Sequence, residues 1–284
     1  MKKITVIGNP GSPRMRDLER ASKQFKKGTV LFLYRKKIKE SSIPSLVKKI
    51  QGTVLYIGFP RVHRNIRSKF KNALLQKHTY INACNVKNPD IKSKYSQQIK
   101  AKQWNIPTIP SFQYKTWKEL EKKLVINTFL SYPFIIKKNI GSQGKDVHLI
   151  ETFKDLHPFK KKIRYYTFQP FIQNNGDFRI FIIRDRILGT ILRTAKKGEY
   201  RNNISQGGSA QVVHDQALLK KIHPLTRKIR KVFQCDYAGI DLIQDKKTKK
   251  LYFLEINFMP QWQGFSQATK IDVGKELLDY AFTK

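Results

Sequence analysis

An α/β unit followed by α+β units is the fold class this sequence predicts, on three observations. Over the first part of the chain, short runs rich in β-branched and aromatic residues alternate with polar stretches of helical spacing. From residue 165 the strands lengthen and follow one another as in hairpins. No internal repeat or low-complexity linker interrupts the pattern. At 284 residues the chain is long enough for two or three packed units without disulfide or metal staples.

The elements follow in order. Residues 3–8 (KITVIG), 29–34 (TVLFLY), 53–58 (TVLYIG) and 79–83 (TYINA) read as strands, with helices over 14–27 and 62–76 between them. Strand alternating with helix argues for a parallel sheet, and this unit occupies residues 1–88. Its first turn, Gly8-Asn9-Pro10-Gly11-Ser12-Pro13, lacks the glycine spacing of a dinucleotide site. A central unit, 89–168, begins with a helix over 91–104 and an Ile-Pro-x-Ile-Pro turn at 106–110. A helix over 116–124 and a strand over 134–137 follow. The third unit, 169–284, takes strands over 165–172, 179–184 and 187–194, a helix over 215–233, and strands over 239–243 and 251–257.

Charge narrows the partners. Lys+Arg number 57 against 20 Asp+Glu, a net +37, and such a field draws polyanions: nucleic acid, an acidic protein or a phosphorylated small molecule. Forty-two of the bases are lysine, which beside 31 isoleucines also fits AT-rich coding, although that leaves the scarcity of acids unexplained. Residues 1–89 hold 21 Lys+Arg against Asp17, Glu19 and Glu40, with no acid from Ser41 to Pro89. Arg61, Arg64, Arg67 and Lys71 recur at helical spacing, so one helix face is expected to be basic. Cys84 and Cys235 are too few for a disulfide framework or zinc site and read as buried thiols in a reducing compartment. The apolar run after Met1-Lys2-Lys3 stops at Gly8, short of the ~7–15 residues of a secretory core. No stretch approaches the ~20 apolar residues of a membrane span, so a cytoplasmic protein with no membrane contact is expected.

Three clusters carry chemistry. Phe134-Ile-Ile-Lys137 delivers a lysine to a loop, Gly141-Ser142-Gln143-Gly144, whose backbone can approach a phosphate closely. Asp241 closes one strand, while Glu255 and Asn257, two apart on another, share a face. If those strands pair, three oxygen ligands meet in apolar surroundings, a set suited to Mg²⁺. Between these clusters lie Gly176-Asp177-Phe-Arg179, Arg193, Arg201-Asn202-Asn203 and Gly207-Gly208, whose arginines have the forked donors that suit phosphate and carboxylate.

In their order, PFIIKKNIGSQGKDV, QPFI…GDFRIFII, LRTAKKGEYRNNISQGGSA, AGIDLI and LEINFMPQWQGF resemble an ATP-grasp ligase of the RimK type over about residues 90–284. The resemblance implies an ATP-grasp fold led by an N-terminal parallel-sheet (pre-ATP-grasp) domain. It implies that Lys94 and Lys137 contact nucleotide phosphates under a mobile loop Gly141–Gly144. Gln169, Pro170, Phe171 and Ile172 would form the adenine hinge, with Asp177 close to the nucleotide. Asp241, Glu255 and Asn257 would hold two Mg²⁺, or Mn²⁺ in their place. Arg193 would stabilise the transferred phosphoryl, and Arg201, Asn202 and Asn203 would line the nucleotide and acyl-phosphate site. The implied reaction joins a carboxylate to an amine through an acyl phosphate, with ADP released. The amino acid added would be glutamate-like, and the acceptor an acidic peptide, protein or carrier met by the basic leading domain.

Other readings stay open: a nucleic-acid-binding protein with a vestigial or regulatory ATP site, an ATP-grasp kinase, and homo-oligomeric assembly, common in the family. The sequence also departs from the family pattern. Pro170 stands where an acidic residue with a backbone donor is usual, Asn203-Ile-Ser205-Gln206 lacks a histidine before the glycine pair, and Met259-Pro260-Gln261-Trp262 replaces small residues. Trp262 is therefore expected to reshape the substrate pocket.

Overall fold

Three parallel strands, β1 (Lys3–Gly8), β2 (Thr29–Tyr34) and β3 (Thr53–Gly58), form the N-terminal sheet in the order β2-β1-β3. The computed structural model describes residues 2–34, 38–58, 63–126, 130–141, 144, 146–196, 198–202 and 207–284. Helix α1 (Pro13–Lys23) opens with Ser12 accepting from the Met15 amide and with proline in its first turn. It buries Met15, Leu18 and Ala21 against the sheet, whose opposite side is covered by α2 (Ile43–Lys48) and α3 (Arg64–Lys77).

The expected strand at 79–83 is reduced to a single parallel bridge between Tyr80 and Val54. Asn82 adopts φ 60°, and its side chain is drawn out of any ladder to bind the far half of the molecule. Its Nδ2 donates to Tyr237 O (2.8 Å) and Phe258 O (2.7 Å), and its Oδ1 accepts from Asp236 N (2.7 Å). The chain continues through α4 (Cys84–Lys87) and a 3₁₀ turn, Pro89–Lys92, to α5 (Lys94–Gln103), capped by Ser93.

A central antiparallel sheet sets β4 (Phe134–Lys138) between β5 (Val147–Ile150) and β6 (Tyr166–Pro170). The last of these therefore pairs with β4 and does not form a hairpin with the strand after it. Phe134, Ile136 and Phe168 point into a core covered by α6 (Trp117–Ile126) and the 3₁₀ stretch Phe153–Tyr165. Alternation turns Ile135, Lys137, Thr167 and Gln169 to the other face.

The largest sheet is antiparallel, β11-β10-β7-β8-β9, built from β7 (Asp177–Ile183), β8 (Arg186–Thr194), β9 (Ser209–Val212), β10 (Tyr237–Gln244) and β11 (Leu251–Asn257). Helix α7 (Gln216–Phe233), capped by Asp215, covers one face over Phe178, Ile180, Ile182, Ile240 and Leu242. The other face meets α8 (Gln263–Thr269), α9 (Val273–Thr283) and the N-terminal unit, which is why β7 is buried along its whole length. Packing crosses the expected boundaries. Ile91, Ala101 and Ile106 join the α7 core, and α9 packs on α1 and β1. Cys84 and Cys235 are free and buried. Among the described residues no helix is long and apolar enough to cross a membrane.

Candidate active site

Strand register assembles the polar row at the centre of the molecule. Asp177 and Arg179 stand two apart on β7, so they share a face. Register sets Arg193 of β8 opposite Asp177, Asp241 of β10 opposite Arg179, and Glu255 of β11 opposite Asp241. Arg193 donates to both oxygens of Asp177 (2.7 and 3.0 Å) and approaches Asp241 Oδ2 at 3.1 Å. Arg179 grips both oxygens of Asp241, one at 2.8 Å. Burial alone would raise the Asp241 carboxyl, but Arg179 and Arg193 outweigh it and hold the group below the usual carboxylate range.

Two glycines make room for this network. Gly176 has φ +131°, and a side chain there would sit 2.4 Å from the Arg193 carbonyl oxygen. At Gly239 a Cβ would crowd Arg179 at 3.0 Å. A bulge in β11 skips Leu254 in the register, so the consecutive residues Leu254 and Glu255 both reach the same space.

Lys94 arrives from α5. Gln97 Nε2 donates to Ile91 O and Ile256 O, and its Oε1 accepts from Ile256 N, while Gln98 Nε2 donates to Phe253 O and Leu254 O. These bonds fix the helix on β11, and the Lys94 ammonium binds Glu255. The Lys94 amide donates to Asn139 O at 2.9 Å, tying the same residue to the end of β4. Lys137 faces it from the central sheet. Burial brings Lys94 down to about 8, and burial with the nearby Lys94 charge brings Lys137 to about 8.

The space between the two antiparallel sheets is a cleft of about 1050 Å³, open to solvent. Lys94, Lys137, Gly141, Gly144, Gln169, Pro170, Phe171, Ile172, Asp177, Arg193, Arg201, Asn202, Asp241 and Glu255, all expected at the site, line it. Ser142, Gln143 and Asn203 lie outside the described residues. Asn257 stands beside the cleft, its Nδ2 donating to Glu255 Oε1 (3.0 Å) and more weakly to Asp241 Oδ2 (3.5 Å).

Other expectations need correction. Arg201 is taken up by Glu199 (2.6 and 3.1 Å), and Asn202 spends its amide on Ala195 N and Asn174 Oδ1. The side chains of both therefore shape the loop wall. Trp262 is fully buried, with Nε1 on Asp17 Oδ2 at 2.9 Å, and does not line the cleft. The chain turns inward after Phe258 and carries the indole onto α1.

Residues without an assigned role also enter. Arg179 anchors Asp241, and Tyr200 Oη binds Val147 O at 2.9 Å, joining the loop after β8 to β5. Ile135 on one side and Ile243 and Leu254 on the other give the cleft two apolar walls a flat ring could enter. The period-2 rule could have found Arg179 and Ile135 beside Asp177 and Lys137. Only strand pairing reveals Ile243 and Leu254.

The donor chemistry fits divalent magnesium. Two carboxylates and an amide meet on one sheet face, and rotating the Asn257 amide would turn its oxygen to the pair. Among the described lining residues five cations (Lys94, Lys137, Lys138, Arg193, Arg201) face four carboxylates (Asp146, Asp177, Asp241, Glu255), a balance of +1. That balance is too small to neutralise a triphosphate without metal.

A family model, the RimK-like ATP-grasp domain, matches residues 90–281. The chain belongs to the RimK-like ATP-grasp family. A probable alpha-L-glutamate ligase of Shewanella halifaxensis (strain HAW-EB4) is 35% identical over 166 residues, 56% of this chain and 35% of that protein. A probable alpha-L-glutamate ligase 2 of Hahella chejuensis (strain KCTC 2396) is 33% identical over 158 residues, 52% of this chain and 49% of that protein. The chain thus spans about a third to a half of the length of these curated relatives. N5-carboxyaminoimidazole synthetase from Staphylococcus aureus, solved with ADP, superposes with a TM-score of 0.76 at 16% identity, over 99% of this chain and 77% of that one. The fold is therefore that of the ATP-grasp proteins, with the parallel three-stranded sheet leading the RimK-like domain.

Proposed function

We propose that this RimK-like ATP-grasp protein is an ATP- and Mg²⁺-dependent carboxylate–amine ligase that adds a glutamate-like amino acid to an acidic peptide, protein or carrier. The observation that carries this reading is the convergence of Lys94, Lys137, Arg193, Asp241 and Glu255 on one cleft between two sheets. The names of the curated relatives favour glutamate as the added amino acid.

The adenine enters between Ile135 and Leu254. Gln169 Oε1, buried there without a donor among the described residues, accepts from its amino group. Lys137 and Lys94, poised near neutrality by burial, become fully charged against the phosphates. Asp241, Glu255 and Asn257 hold two Mg²⁺, which when bound neutralise charge spreading over the phosphoryl oxygens. Arg193, held from two sides by Asp177 and Asp241, meets the γ-phosphoryl already oriented, so no reorganisation is needed as charge develops. A substrate carboxylate oxygen attacks the γ-phosphorus and ADP leaves. The amine then attacks the acyl carbon, loses a proton, and expels phosphate carrying one former carboxylate oxygen.

The test is ADP release with Mg²⁺-ATP, single amino acids, and a panel of acidic peptides and proteins, with mass spectrometry of the acceptor. The reading requires acceptor-dependent turnover and a mass gain of one amino acid, both lost in Asp241→Asn and Glu255→Gln. A phosphorylated product formed without an amine would point to a kinase instead.

A further inference from the structure

Lys71 was expected on a solvated basic helix face, but only 5% of it is exposed. Its ammonium lies 4.4 Å from the ring centroid of Tyr56 and has no hydrogen-bond acceptor or carboxylate among the described residues. Burial, with Lys92 and Arg67 adding like charge, brings it down to about 7. The helices and turns packed on α3 offer little compensation. They are α2, α4 and Glu40–Ser42, and the acid they contain, Glu40, is engaged with the exposed Lys69. A buried cation with nothing but a ring face beside it is costly, and an aliphatic side chain would sit there more easily.

The position of the cluster says what could resolve that cost. Tyr56 lies two residues before the end of β3, at the carboxyl edge of the parallel sheet, where open α/β sheets take ligands. Lys92 precedes Lys94, which binds Glu255, by two residues. Met259, two residues past Asn257, packs into the core that contains Tyr56 and Phe70. The three cations therefore lie on the N-terminal side of the polar row and apart from the residues that line the nucleotide cleft.

We infer that Lys71, Arg67 and Lys92 form a subsite for a substrate carboxylate other than the one activated, so that the substrate is an acidic amino acid or a peptide ending in one. This rests on the ligase reading, since it assigns the second carboxylate of that reaction's substrate. Three cations recognise an anion of this kind by charge-assisted hydrogen bonds, and the bound carboxylate supplies the missing counter-charge.

The experiment uses triglutamate and triglutamine as probes on the full chain, with Lys71→Met and the surface variant Lys92→Gln. Two readouts are taken, the thermal midpoint with each peptide and the steady-state KM values. Triglutamate should raise the wild-type midpoint and triglutamine should not. Lys71→Met should abolish that shift and raise the peptide KM about tenfold or more, and Lys92→Gln about threefold, with the KM for ATP little changed. Without ligand, Lys71→Met should melt above wild type. The inference is overturned if triglutamate gives wild type no shift, if triglutamine shifts it equally, or if both variants keep wild-type shifts and KM values. Triglutamate binding that needs Lys71 but supports no ADP release would keep the subsite and remove the ligase reading. Glutamate-dependent ADP release indifferent to both substitutions would do the reverse.

Discussion

Arg193 and Arg179 share the carboxylates of Asp177 and Asp241, and none of the four can be removed without leaving a buried charge exposed to its neighbours. Arg179→Met is expected to cost about 3 kcal/mol of stability, because Asp241 loses its two-toothed partner. It should also slow turnover, because Arg193 is then drawn towards Asp241, and denaturant titration beside kcat would separate the two effects. Lys137 gives a pH prediction. In the empty cleft it loses its proton near pH 8, while a bound phosphate favours the charged form. Nucleotide binding above that pH must therefore take up a proton, and affinity should fall by up to about tenfold per pH unit until the bound-state pKa is passed. Calorimetry in two buffers of different ionisation enthalpy would detect the uptake, and Lys137→Gln should remove most of it. The lysine and both carboxylates could be read from short motifs because each ends a recognisable strand. Arg179 could not, since its role exists only when β7 lies beside β10, its Asp241 partner lying 62 residues further along. Trp262 was misread for a related reason, as adjacency to the metal-type asparagine in sequence does not say which way the chain turns.

Helix α5 illustrates how an element, more than a residue, sets the site. The pattern predicted a helix over 91–104, and the structure begins it at Lys94, because Pro89–Lys92 winds as 3₁₀ and Ser93 supplies the cap. Starting there puts Lys94 at the helix entry and turns Gln97 and Gln98 onto the backbone of β11. Gln97→Leu orphans Ile91 O, Ile256 O and Ile256 N. It should cost roughly 1–3 kcal/mol for each buried group left unsatisfied, and raise the KM for ATP as Lys94 loses its register. Trp262→Phe makes the contrast. It loses the bond to Asp17 on α1, so stability should drop by about 1–3 kcal/mol while the KM for ATP stays near wild type. The missing strand at 79–83 belongs to this scale too. Its β-branched composition was real, but the contacts of Asn82 with Asp236, Tyr237 and Phe258 cross more than 150 residues and outweigh local propensity.

Across the whole molecule, the net +37 does not reside in the cleft, whose described lining balances at +1. The excess is therefore carried elsewhere, much of it by a leading unit with no acid between Ser41 and Pro89. If that field steers an acidic macromolecule, raising salt from 50 to 300 mM should lower kcat/KM for an acidic peptide acceptor about tenfold and leave that for free glutamate nearly unchanged. The ATP-grasp architecture was readable from five ordered motifs, whereas the mutual packing of the units was not. Interleaved cores, with α5 on the last sheet and α9 on the first, depend on contacts no local pattern encodes. The central claim is that one cleft activates a carboxylate as an acyl phosphate for attack by an amine. Its most direct test supplies the active acceptor with ¹⁸O in its carboxylates and weighs the phosphate released. The mechanism predicts one ¹⁸O per phosphate, matched to amide formed and absent with Glu255→Gln. Phosphate free of label, with ADP still released, would contradict it.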